Sequence, residues 1–201
     1  MEAIGIKNIV LTPHFYPDAN SNVEGFLTRR NKNVEKLRAA LESEGVNGVK
    51  LTVGAEVLLC PGLENLEGLE KLCLGETNTI LIEMPDLPWS DDLLESLQRI
   101  KKNLGLEVVI AHVDRYGKSL AESLISRGYK VQVNADSTVS FSMKRTVCGW
   151  VKDGYVYALG SDKHVHSNNK ALVYKEFPKS AKILSKYADT INSRSLALIG
   201  Q

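Results

Sequence analysis

The chain holds four histidines, His14, His112, His164 and His166, and three of them follow apolar runs. Ile9-Val10-Leu11-Thr12-Pro13 leads into His14, and Leu106-Glu107-Val108-Val109-Ile110-Ala111 leads into His112. Tyr155-Val156-Tyr157-Ala158-Leu159-Gly160-Ser161 leads into Asp162 and His164. Two further runs deliver carboxylates: Leu51-Thr52-Val53-Gly54-Ala55 into Glu56, and Thr79-Ile80-Leu81-Ile82 into Glu83. A lone histidine after a strand is more often structural. Here five runs in succession end in an imidazole or a carboxylate, and that points to a metal site. In a parallel sheet or barrel such groups gather at the C-terminal strand ends. Imidazole mixed with carboxylate suits Mn²⁺, Fe²⁺ or Zn²⁺ better than Mg²⁺ or Ca²⁺. A bridging carboxylate allows paired ions, the usual equipment for hydrolysing phosphoesters. Arg115, shortly after His112, carries a planar guanidinium that could clamp a phosphate, with a surface salt bridge as the bland alternative. His166 has no strand before it and reads as loop, and Phe15, Tyr16 and Tyr116 line a pocket or simply pack.

The elements that must position these groups alternate. Strands are expected at about 8–12, 49–55, 79–82, 107–111, 129–134 and 155–159. Helices are expected at 23–43, 89–103, 117–126, 142–152 and 189–199, the last capped by Asp189 or Thr190. Residues 172–187 read as helix broken near Pro178. The first helix should bury Leu27, Val34, Leu37 and Leu41 and solvate Arg29, Arg30, Lys32, Lys36 and Arg38. The second should bury Leu93, Leu97, Ile100 and Leu104. Leu63, Leu66, Leu69 and Leu72, with glycines between them, suggest weak helix or irregular packing. No linker or low-complexity stretch interrupts the alternation, which implies an α/β chain with a parallel sheet or barrel.

Composition narrows the function classes. With 25 Lys+Arg against 24 Asp+Glu, the net charge of +1 argues against nucleic-acid binding and against a charged membrane surface. No apolar run approaches the ~20 residues of a membrane span. Cys60, Cys73 and Cys148 show no Cys-x-x-Cys spacing and read as small buried hydrophobes of a reducing, cytoplasmic protein. Cys-x5-Arg, Walker and Gly-x-Gly-x-x-Gly motifs are absent, which turns the reading away from thiol phosphatases and nucleotide-binding folds. Met1 to Asn8 read as the tail of a helix, a glycine cap at Gly5 and the turn into a strand, as though a segment precedes it.

Six blocks occur in order: Thr12-Pro13-His14, Gly54-Ala55-Glu56, Leu81-Ile82-Glu83-Met84-Pro85, Ala111-His112-Val113-Asp114-Arg115-Tyr116, Gln132-Val133-Asn134 and Ser161-Asp162-Lys163-His164. Together they resemble the PHP (polymerase and histidinol phosphatase) family, most of all its bacterial tyrosine-phosphatase branch of capsule and exopolysaccharide synthesis. The resemblance implies a distorted seven-stranded β/α barrel, here lacking its first strand, with residues 1–201 forming a single N-terminally truncated domain. It implies two or three metal ions, Mn²⁺ first and Fe²⁺ or Zn²⁺ as alternatives. His14, Glu56, Glu83, His112, Asp162 and His164 would be the ligands, with Glu56 and Glu83 bridging, and Arg115 would hold the phosphoryl oxygens.

The implied reaction is hydrolysis of phosphotyrosine on protein, with a tyrosine kinase of polysaccharide export as substrate. A histidinol-phosphatase-type enzyme and a PHP domain without activity are the alternatives. Three departures stand out. The family's opening strand, ending in His-x-His, is missing. Asp114 stands where the family usually has Glu. No second arginine follows the Ser-Asp-x-His block, Lys170 being the nearest cation. The missing strand implies fewer ions and an open sheet edge through which copies could associate as a homo-oligomer.

Overall fold

The computed structural model describes residues 5–17, 22–86, 88–162 and 170–201, with side chains in the last segment from residue 176 onward. The helix tail expected before Gly5 lies outside the described residues. The chain divides into two compact units: Met1–Val108 with Gly200, and Val109–Ile199 with Gln201. All the strand pairings described below are parallel, as the alternation of strand and helix implied.

In the first unit, β1 (Asn8–Leu11) is followed at once by β2 (His14–Phe15), and the long helix α1 (Val23–Ser43) comes next. β3 (Lys50–Val53) and β4 (Glu56–Leu58) follow, then β5 (Thr79–Glu83) and α2 (Asp91–Asn103). β1 pairs with β3, β2 with β4, and β4 with β5. Each of the first two strands expected from the sequence, at 8–12 and 49–55, is thus followed after a break by a further short strand, β2 and β4, that the sequence reading did not place. Pro13 has no N–H to give the ladder. Gly54 N–H donates to Leu11 O at 2.9 Å and Glu56 N–H to Pro13 O at 3.1 Å, so pairing resumes beyond the break. Gly54 sits where a Cβ would come within 2.5 Å of Leu74 Cδ2, so a side chain there would have to displace the leucine.

α1 starts at Asn22, whose side chain accepts from Gly25 N–H at 2.8 Å. Its buried stripe is Val23, Phe26 and Val34. Of the four expected apolar positions only Val34 is buried, and Leu37 is 38% exposed. The reason is aromatic: Phe26 meets Phe15 edge-on, centroids 5.1 Å apart, and turns that face inward. Arg30, expected in solvent, belongs to the same stripe. Its guanidinium lies 5.9 Å over the Phe26 ring and donates to Gly54 O at 3.1 Å. Burial holds the Arg30 pKa below its ordinary value.

Of the leucines at intervals of three, Leu63 falls in a 3₁₀ turn at Leu63–Asn65 and Leu69 and Leu72 in another at Leu69–Leu72, a geometry with three residues per turn, while the extended Leu66 follows the first turn. Left-handed Gly62 and Gly68 precede these turns, at φ +82° and +80°. α2 is capped by Ser90 and has Asp91 and Asp92 in its first turn and Lys101 and Lys102 in its last, as the helix dipole favours. Leu93, Leu97 and Ile100 are buried, whereas Leu104 lies past the helix end and is 44% exposed.

β6 (Glu107–Ile110) leads into the second unit, which holds α3 (Lys118–Ser126), β7 (Lys130–Asn134), α4 (Lys144–Lys152), β8 (Val156–Gly160), α5 (Lys170–Ile183) and α6 (Ala188–Ala197). β7 pairs with β6 on one side and β8 on the other, with a bulge at Val131/Gln132 on the β8 side. Val131 and Val133 are fully buried in β7, as are Ile110, Val147 and Val156 around it. α5 runs unbroken through Pro178; the interruption falls later, at the 3₁₀ turn Ser185–Tyr187. Neither Asp189 nor Thr190 caps α6, since Tyr187 stands at the cap without a side-chain bond. α6 is held instead by Arg194, which donates to Gly154 O at 2.7 Å and lies over the Tyr157 ring, and by Ser195 Oγ, which donates to Tyr157 O at 2.9 Å. Among the described residues no helix is long and apolar enough to cross a membrane.

Leu97 is wholly buried on α2, whereas Ser90 only caps that helix. Chemical denaturation should therefore show Leu97→Ala losing about 2–5 kcal/mol and Ser90→Ala about 0.5–2 kcal/mol. Equal losses would mean that α2 is not anchored through Leu97.

Candidate functional site

The break in the first two strands sets the geometry of the first unit's polar cluster. His14 opens β2 and Glu56 opens β4, and the two are register partners. Glu83 closes β5, opposite Leu58 of β4. His14 Nδ1 lies 3.6 Å from Glu56 Oε1 and 3.4 Å from Glu83 Oε2. One ligand atom from each of the three residues lies within 4.8 Å of the others. Glu56 is buried, while His14 and Glu83 are partly exposed, so the cluster opens to solvent on one side. Tyr16 stacks on the His14 ring, centroids 5.2 Å apart. Its hydroxyl pKa is pushed up, first by burial and then by the carboxylates of Glu83 and Glu56.

Two carboxylates facing one another at a half-buried imidazole repel each other unless positive charge intervenes. An imidazole and two carboxylates are also the number and kind of protein ligands that an open transition-metal site uses. The residues present therefore fit a divalent ion of the Mn²⁺, Fe²⁺ or Zn²⁺ class.

In the second unit, two strand ends share an unusual backbone. His112, just past β6, has φ +31°, and Asp162, just past β8, has φ +46°. They are the non-glycine residues with positive φ among the described residues. Such conformations are costly and concentrate at functional positions. His112 is buried, and its Nδ1 lies 3.3 Å from the Tyr116 hydroxyl. With a proton on Nδ1 shared with that oxygen, Nε2 would be the ring's acceptor nitrogen. Tyr116 thus does more than pack.

Val113–Tyr116 form a 3₁₀ turn that carries Arg115. Asp114 pins this turn. Its Oδ1 accepts from Asn134 N–H at 2.9 Å and its Oδ2 from Ser137 Oγ at 2.6 Å. The half-exposed Arg115 guanidinium makes an ion pair with the well-buried Asp162 carboxylate. Arg115, Asn134, Asp136, Ser137 and Asp162 line one polar hollow. His164, His166 and the Lys170 side chain lie outside the described residues.

Sequence reasoning gave no role to three groups that the structure makes structural partners of the site: Asp114, Gln132 and Asn134. A signal existed for two of them. Gln132 and Asn134 are amides two residues apart, alternating with Val131 and Val133 in β7, so they share one face. Cys73 and Cys148 are poor candidates for a competing nucleophile. Burial, with a smaller contribution from Glu70, pushes Cys73 up to about 11, and burial also raises Cys148.

Two comparisons bear on this arrangement. The fold matches a solved chain from the study of YwqE from Bacillus subtilis and CpsB from Streptococcus pneumoniae, described there as unique metal-dependent tyrosine phosphatases. The TM-score is 0.75 at 20% identity, over 98% of this chain and 82% of that one. At that identity the likeness speaks for the α/β fold. The family model for capsular polysaccharide synthesis, CpsB/CapC, matches residues 2–196. The chain therefore belongs to the CpsB/CapC family of capsular polysaccharide synthesis.

Proposed function

We propose that this protein is a metal-dependent phosphomonoesterase that removes phosphate from phosphotyrosine on proteins of capsule synthesis. Its substrate is a bacterial tyrosine kinase of polysaccharide export, met in the cytoplasm, and Mn²⁺ is the resident ion. The observation that carries the reading is the convergence of His14, Glu56 and Glu83 in a chain of the CpsB/CapC family. The fold it shares with a chain from a study of metal-dependent tyrosine phosphatases supports it.

In this reading His14, Glu56, Glu83, His112, Asp162 and His164 are metal ligands, and Glu56 and Glu83 are the carboxylates that could be shared between ions. Such an ion, when bound, polarises a phosphoryl oxygen and lowers the pKa of an attacking water. The chain's own residues do the rest. Arg115 binds phosphoryl oxygens through its planar guanidinium, and its half-exposed position lets an incoming phosphate reach it. Asp114 holds the turn beneath Arg115 through Asn134 and Ser137. Tyr116 orients the His112 ring.

The deciding experiment strips the purified protein with a chelator and reloads it with Mn²⁺. Release of phosphate from a phosphotyrosine peptide, a phosphoserine peptide and histidinol phosphate is then measured. Mn²⁺-dependent turnover that favours the phosphotyrosine peptide is expected. Turnover of histidinol phosphate alone returns the chain to the small-molecule alternative, and no turnover on any of the three removes the enzyme reading.

Two substitutions test the residues. Glu83→Gln should lower bound Mn²⁺ and reduce kcat/KM by about 10²-fold or more. In chelator the same variant should melt no lower than the parent, because one of two facing carboxylates has been neutralised. A lower melting point without metal would make Glu83 a structural residue. Arg115→Lys should reduce kcat/KM on the order of 10²-fold with metal content unchanged. Unchanged kinetics would make Arg115 a surface salt bridge.

A further inference from the structure

β7 carries a buried amide pair that none of the roles above uses. Gln132 and Asn134 lie on one face of a strand whose valines, Val131 and Val133, are fully buried. A buried amide in such a strand is costly unless its hydrogen-bonding groups are satisfied. The Gln132 groups are satisfied in a directed way. Its Oε1 accepts from the backbone N–H of His112 at 2.5 Å. Its Nε2 donates to Val133 O at 2.9 Å and to Asn134 Oδ1 at 3.2 Å. Only this orientation of the amide meets an N–H with oxygen and two oxygens with NH₂. Asn134 Nδ2 then points onward to Asp162 Oδ2, 3.5 Å away. The chain of bonds therefore begins at the backbone of His112 and ends on the carboxylate of Asp162. Those are the two non-glycine residues with positive φ among the described residues, at φ +31° and +46°.

The neighbouring strand is shaped around the pair. Asn134 is in register with Gly160, two residues before Asp162. A Cβ on Gly160 would fall 1.9 Å from Gln132 Nε2 and 3.5 Å from Asn134 Oδ1. The bulge at Val131/Gln132 brings Gln132 opposite Ala158, so the residues facing the amides are the small Ala158 and Gly160. The sheet thus gives up a side chain at Gly160 and a regular register to seat a polar group it does not need for its core.

We propose that Gln132 is a positioning residue for metal binding, which sets His112 and Asp162 together through one amide relay. The proposal rests on the metallophosphatase reading, in which those two residues are ligands. His112 stays in its left-handed conformation because its N–H is fixed by Oε1, so the ring leaves the backbone in one direction. Asp162 keeps one carboxylate orientation because Asn134 is itself oriented by Gln132. Removing outer partners of metal ligands costs about 10- to 100-fold in metal affinity or activity.

Gln132→Glu is the informative variant. It keeps an acceptor for His112 N–H but cannot donate to Asn134, whose oxygen then faces a carboxylate. Gly160→Ala displaces the same amide from the opposite side without altering it chemically. Mn²⁺ affinity is read by chelator competition, and melting temperature is read in chelator, on the full chain. Both variants should bind Mn²⁺ about 10- to 100-fold more weakly than the parent while keeping a cooperative melt. Exchange of the His112 amide hydrogen should remain slow in Gln132→Glu and quicken in Gly160→Ala. Parental Mn²⁺ affinity in a folded variant overturns the role of Gln132 and leaves the metal site standing. A parent that takes up no Mn²⁺ overturns the metallophosphatase reading, and this proposal with it. If Gln132→Glu does not fold, Gly160→Ala decides alone.

Discussion

Two carboxylates, Glu56 and Glu83, meet one imidazole nitrogen at the edge of a tightly packed parallel sheet, and like charges so placed need a cation between them. Much of the first unit serves that juxtaposition. Phe15 and Val57, the next residues along β2 and β4, are fully buried, so the strands cannot slip to carry His14 and Glu56 away from each other. β5 is buried along most of its length and surfaces only at Glu83. The apolar core therefore fixes the register, and the register fixes the distances among the polar groups.

The second unit solves a different problem with backbone rather than register. His112 and Asp162 lie just beyond the strands that deliver them, where no ladder constrains the chain. Bonds from β7 reach both of these left-handed residues: Gln132 on the backbone of one, Asn134 on the side chain of the other. Asp114 adds a third tie, from the Arg115 turn to the end of β7. A half-satisfied buried polar network costs more than an apolar core. Here each named tie pairs a donor with an acceptor, and the turn that carries Arg115 stays fixed although Arg115 itself is half exposed.

Membership of the CpsB/CapC family and the match to a metal-dependent tyrosine phosphatase fold give these local devices a common setting. The second unit's hollow is lined by polar residues, and the His14 cluster is open on one side. The proposed activity on a phosphorylated side chain of another protein would need access of this kind. Cys73 and Cys148, with thiols raised by burial, are poor nucleophiles.

The sequence by itself determined the alternation of strand and helix, the parallel sheet class and the identity of the polar groups at the strand ends. Each is a local property: apolar runs of strand length, a helical period in α2, and an imidazole or carboxylate directly after. Helix α1 could be read to its end residues because Asn22 caps it and Gly45 follows it. Its buried face could not, because Phe26 and Arg30 are turned inward by Phe15 and Gly54, which are distant in sequence. The breaks at Pro13 and Gly54 likewise depend on Leu74 crowding one strand and on the other strand's ladder resuming. Tertiary structure alone decided that His14 stands opposite Glu56, and that Gln132 and Asn134 tie His112 to Asp162. Those pairings join residues separated by tens of positions, and no local pattern encodes which strand a given strand will lie beside.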